Sequence, residues 1–101
     1  MPGLLGIDSG LTVTKAVVFD EDGTVLAVAR RRVAQAIPEP RRVERAMDGL
    51  WQATAEAVAE AIARSGRPAS DIEAVAATAH GDGLYLLDAE SRPLGPGILS
   101  L

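Results

Sequence analysis

The sequence predicts an α/β domain: a mixed sheet with three antiparallel strands, a long helix packed on it, a parallel strand and a closing hairpin. Three observations carry this. Short apolar or alternating runs recur three times in the first 33 residues, separated by "SGL" and "DEDG". One stripe of apolar residues at steps of three and four then extends from about Val43 to Ser65. Directly after Gly66 and Pro68 comes "DIEAVAAT", a short run of small and β-branched residues.

Each element follows from its side chains. "LLGID" is a short apolar run that opens into a polar turn, as a buried strand does. "TKAVVFD" reads as the second strand, and "DEDG" has the Asp and Gly chemistry of a tight turn. In "TVLAVARRRV", Val25, Ala27, Ala29 and Arg31 alternate with Leu26, Val28, Arg30 and Arg32, giving the third strand of a meander. "AIPEPRR" holds two close prolines and is expected to be an extended connector. Val43, Met47, Leu50, Trp51, Thr54, Val58, Ala61 and Ile62 then form a helical stripe, with Met47 and Trp51 expected in the core. A helix after an antiparallel meander returns the next strand parallel to a neighbour. "LYLLD", "AES" and "RPLGPGILSL" suggest the closing hairpin.

Composition narrows the function classes. With 101 residues the chain is one domain or part of one, since domains usually hold roughly 100–150. Fourteen acidic against ten basic residues give a net charge of −4, so nothing draws the chain generally to nucleic acid or an anionic membrane. No cysteine is present, which excludes disulfides and thiol catalysis. "MPGLLGID" lacks the basic start of a signal peptide, and no apolar run approaches the roughly 20 residues of a membrane span. A soluble cytoplasmic protein is the expectation. The run Arg30 to Arg32 reads as a solvated strand edge, with a contact surface as the alternative.

Two stretches compete for the chemistry. "FDEDGT" resembles the opening motif of the haloacid dehalogenase phosphatases, with Asp20 as nucleophile. That route needs a cation on the phosphoryl oxygens and further carboxylates for Mg²⁺. The single lysine, Lys15, lies upstream of Asp20, and strand alternation resumes directly after the turn. A hairpin turn with solvated acids is the better reading. "GIDSGLTVTK" gathers Asp8, Ser9, Gly10, Thr12, Thr14 and Lys15 at a strand end: a carboxylate, a glycine, hydroxyls and a cation. Mg-nucleotide phosphates require such a set, although a plain hairpin turn with an aspartate fits this stretch as well. Neither a Walker A nor a Rossmann glycine pattern is present.

The chain as a whole resembles the FGGY family of carbohydrate kinases. "LLGIDSGLTVTKAVVFDEDGTVLA" is similar to that family's phosphate hairpin, "GLWQATAEAVAEAI" to its first long helix, and "DIEAVAATAHGDGLYLLDAESRPLGPGILSL" to the segment before an Asp-x-Arg motif. "GDGLYLLD" and "RPLGPGILSL" most resemble the branch acting on L-xylulose and related keto-sugars or polyols. The resemblance implies a ribonuclease H-like (actin/hexokinase-like ATPase) fold, present as an incomplete domain. It implies that residues 1–101 are part of the N-terminal, sugar-binding side, without the C-terminal ATP-binding domain. ATP and Mg²⁺ become the expected cofactors and a sugar or polyol the substrate. Asp8 would hold Mg²⁺ and its waters, Gly10 would let the backbone approach the phosphates, Thr12 and Thr14 would line the turn, and Lys15 would stand near the γ-phosphate. His80, Gly81 and Asp82 would face the sugar. No catalytic base is expected within these residues, because the family's aspartate base lies far downstream. Arg41 and Arg42 depart from the Gly-Trp that usually follows the proline. A non-catalytic actin-like nucleotide-binding module is the alternative. Partners beyond the substrate would be the remainder of the kinase chain and, through surface left uncovered, a second copy in a homo-oligomer.

Overall fold

The computed structural model describes residues 2–100. Three strands, β1 (Gly3–Ser9), β2 (Val13–Asp20) and β3 (Val25–Arg32), form the expected antiparallel meander. After the helix α1 (Met47–Ser65), strand β6 (Ile72–Ala79) returns parallel to β1, giving the order β3-β2-β1-β6. A single 3-10 turn, Ala69–Asp71, leads into β6.

The helix packs on one face of this sheet. Ala57 and Ala61 meet Leu5, Ala16, Val18 and Ala29, and Ala53, one turn earlier on the same stripe, is buried too. Small side chains on both layers let helix and sheet approach closely, so alanine forms the innermost contact. This corrects the expected core: Met47 is only partly buried, and Trp51 is 71% exposed. Trp51 sits instead with Val58, Ile62, Leu5, Ile7 and Val75 along an open apolar groove between α1 and β6. Gly66 ends the helix in the left-handed conformation, φ 75°, as glycine readily does.

The "DEDGT" stretch is a hairpin turn. Asp20 Oδ1 accepts hydrogen bonds from the backbone N–H groups of Asp22 and Thr24, both at 2.9 Å, and Gly23 takes φ 85°. The carboxylate of Asp20 is thus committed to its own turn.

The proline-rich connector differs from expectation. Ala36–Glu39 and Arg42–Arg45 are strands β4 and β5, so the helix begins at Met47 rather than near Val43. The two join β7 (Gly83–Leu84) and β8 (Gly97–Leu99) in a second sheet, ordered β4-β5-β8-β7. Val43, Arg45, Gly97 and Leu99 face inward and are buried, while Leu84 and Ile98 lie exposed on the other side. The closing hairpin is present, fastened further by the Leu87–Pro93 bridge. At the β4–β5 turn Arg41 has φ 70°, the left-handed conformation that a glycine after Pro40 would adopt without strain.

Candidate functional site

The site forms where β1 and β6 end. In a sheet with parallel strands, the carboxyl ends are where loops diverge and ligands bind. Here the loop after β1 (residues 10–12) and the loop after β6 (80–82) leave side by side, and the His80 N–H donates to the Ser9 carbonyl at 3.1 Å.

Strand register sets the side chains on the face away from α1. Asp8 pairs with Lys15 on β2 and with Thr78 on β6, and Lys15 pairs with Arg30 on β3. Arg30, Lys15, Asp8 and Thr78 therefore form one row across the sheet. Asp8 is exposed and has no ion pair among the described residues, nor has Lys15. A hollow lined by Gly6, Val17, Phe19 and Ala76 adjoins Asp8 and Thr78 on this face.

The turn itself is tight. The Gly10 N–H donates to the Val13 carbonyl at 2.9 Å, and a Cβ at Gly10 would stand 3.0 Å from that same oxygen. Glycine is what permits the turn to close. Arg45 Nη1 donates to the carbonyls of Gly10 (2.8 Å) and Leu11 (2.9 Å), Gln35 Nε2 to Leu11 (2.8 Å), and the Val33 N–H to Thr12 (2.8 Å). With its carbonyls held by Arg45, Gln35 and Val33, the turn leaves the N–H groups of Leu11 and Thr12 without an acceptor among the described residues. Such free N–H groups beside a lysine suit an anion.

Four of the five residues expected at the phosphates, Asp8, Gly10, Thr12 and Lys15, come together here. Thr14 does not join them. Strand alternation turns it to the helix side, where it is fully buried and its Oγ1 lies 3.1 Å from that of Thr54. Of the residues expected at the sugar, Gly81 and Asp82 lie exposed in the loop after β6. His80 is partly buried, with Nε2 2.9 Å from Tyr85 Oη and Nδ1 buried without a partner among the described residues. Arg45 and Tyr85 were missed. The sequence signal for Arg45 was its place two residues after Val43, on the same side of a strand; reading that stretch as helix hid it.

For Mg²⁺, the donor set is one exposed carboxylate. The described residues contain no group of three or more His, Cys, Asp or Glu side chains able to hold a metal. That suits an ion that takes most of its ligands from phosphates and water, and it does not suit an all-protein cage.

A three-plus-one mixed sheet, a helix on one face and a tight glycine turn at the carboxyl end of β1 define an α/β domain with its candidate site at one sheet end. Comparison with known proteins makes the family definite. The sequence profile of the FGGY family of carbohydrate kinases, N-terminal domain, matches residues 4–101, and the chain belongs to that family. It is 40% identical over 96 residues to a "Probable L-xylulose kinase" of Haemophilus influenzae, covering 95% of this chain and 20% of the relative. A "Glycerol kinase" of Trichlorobacter lovleyi is 40% identical over 78 residues, 77% of this chain and 16% of the relative. Among solved structures, a "xyloylose kinase" from Brucella ovis superposes with TM-score 0.88 at 29% identity, over 96% of this chain and 20% of that one. The ribonuclease H-like fold, of the actin/hexokinase type, is thereby established. The chain spans about one fifth of the length of these relatives. No described helix is long and apolar enough to cross a membrane.

Proposed function

We propose that the protein acts in ATP-dependent phosphorylation of a keto-sugar or polyol hydroxyl, with these 101 residues forming one wall of the site. The observation that carries the reading is the meeting of Asp8, Gly10, Thr12 and Lys15 with the His80–Asp82 loop at one end of the β1/β6 pair. Relatives named for L-xylulose and for glycerol favour a small polyhydroxylated substrate.

Phosphoryl transfer needs positioning and charge neutralisation far more than covalent chemistry. Lys15 places a fixed positive charge beside the turn, and Gly10 lets phosphate oxygens reach the N–H groups of Leu11 and Thr12. Asp8 would hold Mg²⁺, which when bound neutralises charge on the nucleotide phosphates. Asp82, an acceptor-only carboxylate, would take hydrogen bonds from sugar hydroxyls, with His80 beside it. The base that removes the hydroxyl proton, and the adenine contacts, would come from chain outside these residues.

The exposed surface supports that division. β6 has an unpaired edge, and its residues from Glu73 to Ala79 are all exposed, although parallel strands of this composition are normally covered on both faces. The test compares purified protein carrying the whole expected kinase length with the 101-residue chain alone. The long protein should phosphorylate a keto-sugar or polyol with Mg-ATP, and the short one should give no turnover above its Lys15→Ala control. Turnover by the short chain above that control contradicts the reading, as does a long protein inactive on every sugar and polyol tried.

A further inference from the structure

The second sheet reaches the site through one polar chain that dictates where His80 carries its proton. Arg45 is 2% exposed, and its Nε donates to Tyr85 Oη at 2.8 Å while the guanidinium stands 5.6 Å from the Tyr85 ring centroid. Arginine has donors only, so Tyr85 Oη must accept this bond. The phenol hydrogen then has one acceptor among the described residues, His80 Nε2 at 2.9 Å. A proton on Nε2 would leave both the phenol hydrogen and the Nδ1 lone pair unmatched. With Nε2 accepting, only the Nδ1–H is unmatched, and fewer orphaned polar groups is the cheaper arrangement.

The backbone is cut to fit this arrangement. A Cβ on Gly83 would stand 2.5 Å from His80 Cε1 and 2.7 Å from Tyr85 Cε1, and one on Gly97 would run into the Tyr85 ring. The two rings meet edge to face, centroids 5.8 Å apart at 67°. Among the described residues nothing else bonds the imidazole: Nδ1 is buried and has no partner there.

We infer that Arg45 and Tyr85 are positioning residues that hold His80 as its Nδ1–H tautomer and fix the ring where the loop after β6 leaves the sheet. That this loop faces a sugar or polyol rests on the kinase reading; the tautomer does not. A residue that fixes a neighbour's proton shapes recognition without touching the ligand. Arg45 also holds the Gly10 and Leu11 carbonyls, so one guanidinium sets both the phosphate turn and the sugar-side histidine.

The test is nitrogen NMR of ring-labelled histidine at alkaline pH, where imidazole is neutral, with the His80 signals identified by their loss in His80→Gln. The wild-type spectrum should show a protonated Nδ1 and an unprotonated Nε2. Tyr85→Phe should move the ring toward Nε2–H, the form free imidazole side chains prefer. An Nε2–H ring in the wild type overturns the inference, and that spectrum decides even where a variant fails to fold. A tautomer unchanged in folded Tyr85→Phe overturns it too. In the full-length protein, Tyr85→Phe should raise the sugar KM by about tenfold with kcat kept within about twofold; an unchanged KM refutes the link to substrate. Absence of any sugar phosphorylation would sink the kinase reading and leave the spectroscopic result standing.

Discussion

Replacing Arg45 by methionine separates two opposed effects. Arg45 is a buried cation with no carboxylate beside it among the described residues; carbonyls and a phenol satisfy it. Burying a charge is costly, and an apolar side chain of similar volume often replaces one without loss. Against that stand the acceptors left behind. Leu11 would keep its bond from Gln35, but the Gly10 carbonyl and Tyr85 Oη would each lose the donor Arg45 supplies. Each buried group orphaned this way costs about 1–3 kcal/mol, so the net expectation is a loss of about 3 kcal/mol. With a urea dependence of about 1–1.5 kcal/mol per molar for a chain this short, the midpoint should fall by about 2–3 M. Urea unfolding followed by circular dichroism measures this directly. An Arg45→Met midpoint equal to or above wild type would show that desolvation dominates and that the turn is held without the guanidinium.

Other perturbations follow from single contacts. Asp20→Asn keeps a side-chain oxygen for the turn N–H groups and should cost at most about 1 kcal/mol, leaving full-length phosphotransfer intact; loss of all transfer in a folded variant would contradict a purely structural role for Asp20. Arg41→Gly relieves the positive φ at the β4–β5 turn and should stabilise by about 0.5–1 kcal/mol, read as a higher melting temperature; a lower one refutes the strain. The bond from Arg31 holds the Glu60 carboxyl below its usual range. A lowered folded-state pKa contributes stability present above the unfolded value and lost as pH falls through the folded one. Wild type should therefore outlast Glu60→Gln in melting at neutral pH and lose that margin on acidification; a margin that grows in acid contradicts the pairing.

Local chemistry made the first sheet legible. The turns at Gly10 and at Asp20–Gly23 mark the strand ends, and period-two alternation along β2 and β3 sets their faces. The same alternation puts Thr14 and Lys15 on opposite faces of β2, so only one of them can face the phosphates. The helix was legible in length and end, through Gly66, but not in rotation. Hydrophobicity points to Trp51 and Met47, whereas close packing on β2 and β3 selects Ala53, Ala57 and Ala61. The second sheet was hidden because its strands are two to four residues long, β4 contains Pro38, and β5 pairs with β8 more than fifty residues later. Nothing local announces pairing across that distance. Arg45 was lost with it, since a buried arginine is recognised only by the carbonyls and phenol that surround it.

In the proposed reaction Lys15 and Asp8 serve the transferred phosphoryl group. The most direct measurement of this role is kcat/KM for Mg-ATP in the full-length protein and its Lys15→Ala variant, with a keto-sugar or polyol acceptor. Removing one preorganised charge from a transferring phosphoryl should lower kcat/KM by about a hundredfold or more, while sugar binding measured without nucleotide stays unchanged. A Lys15→Ala protein that transfers phosphate at the wild-type rate would contradict the account.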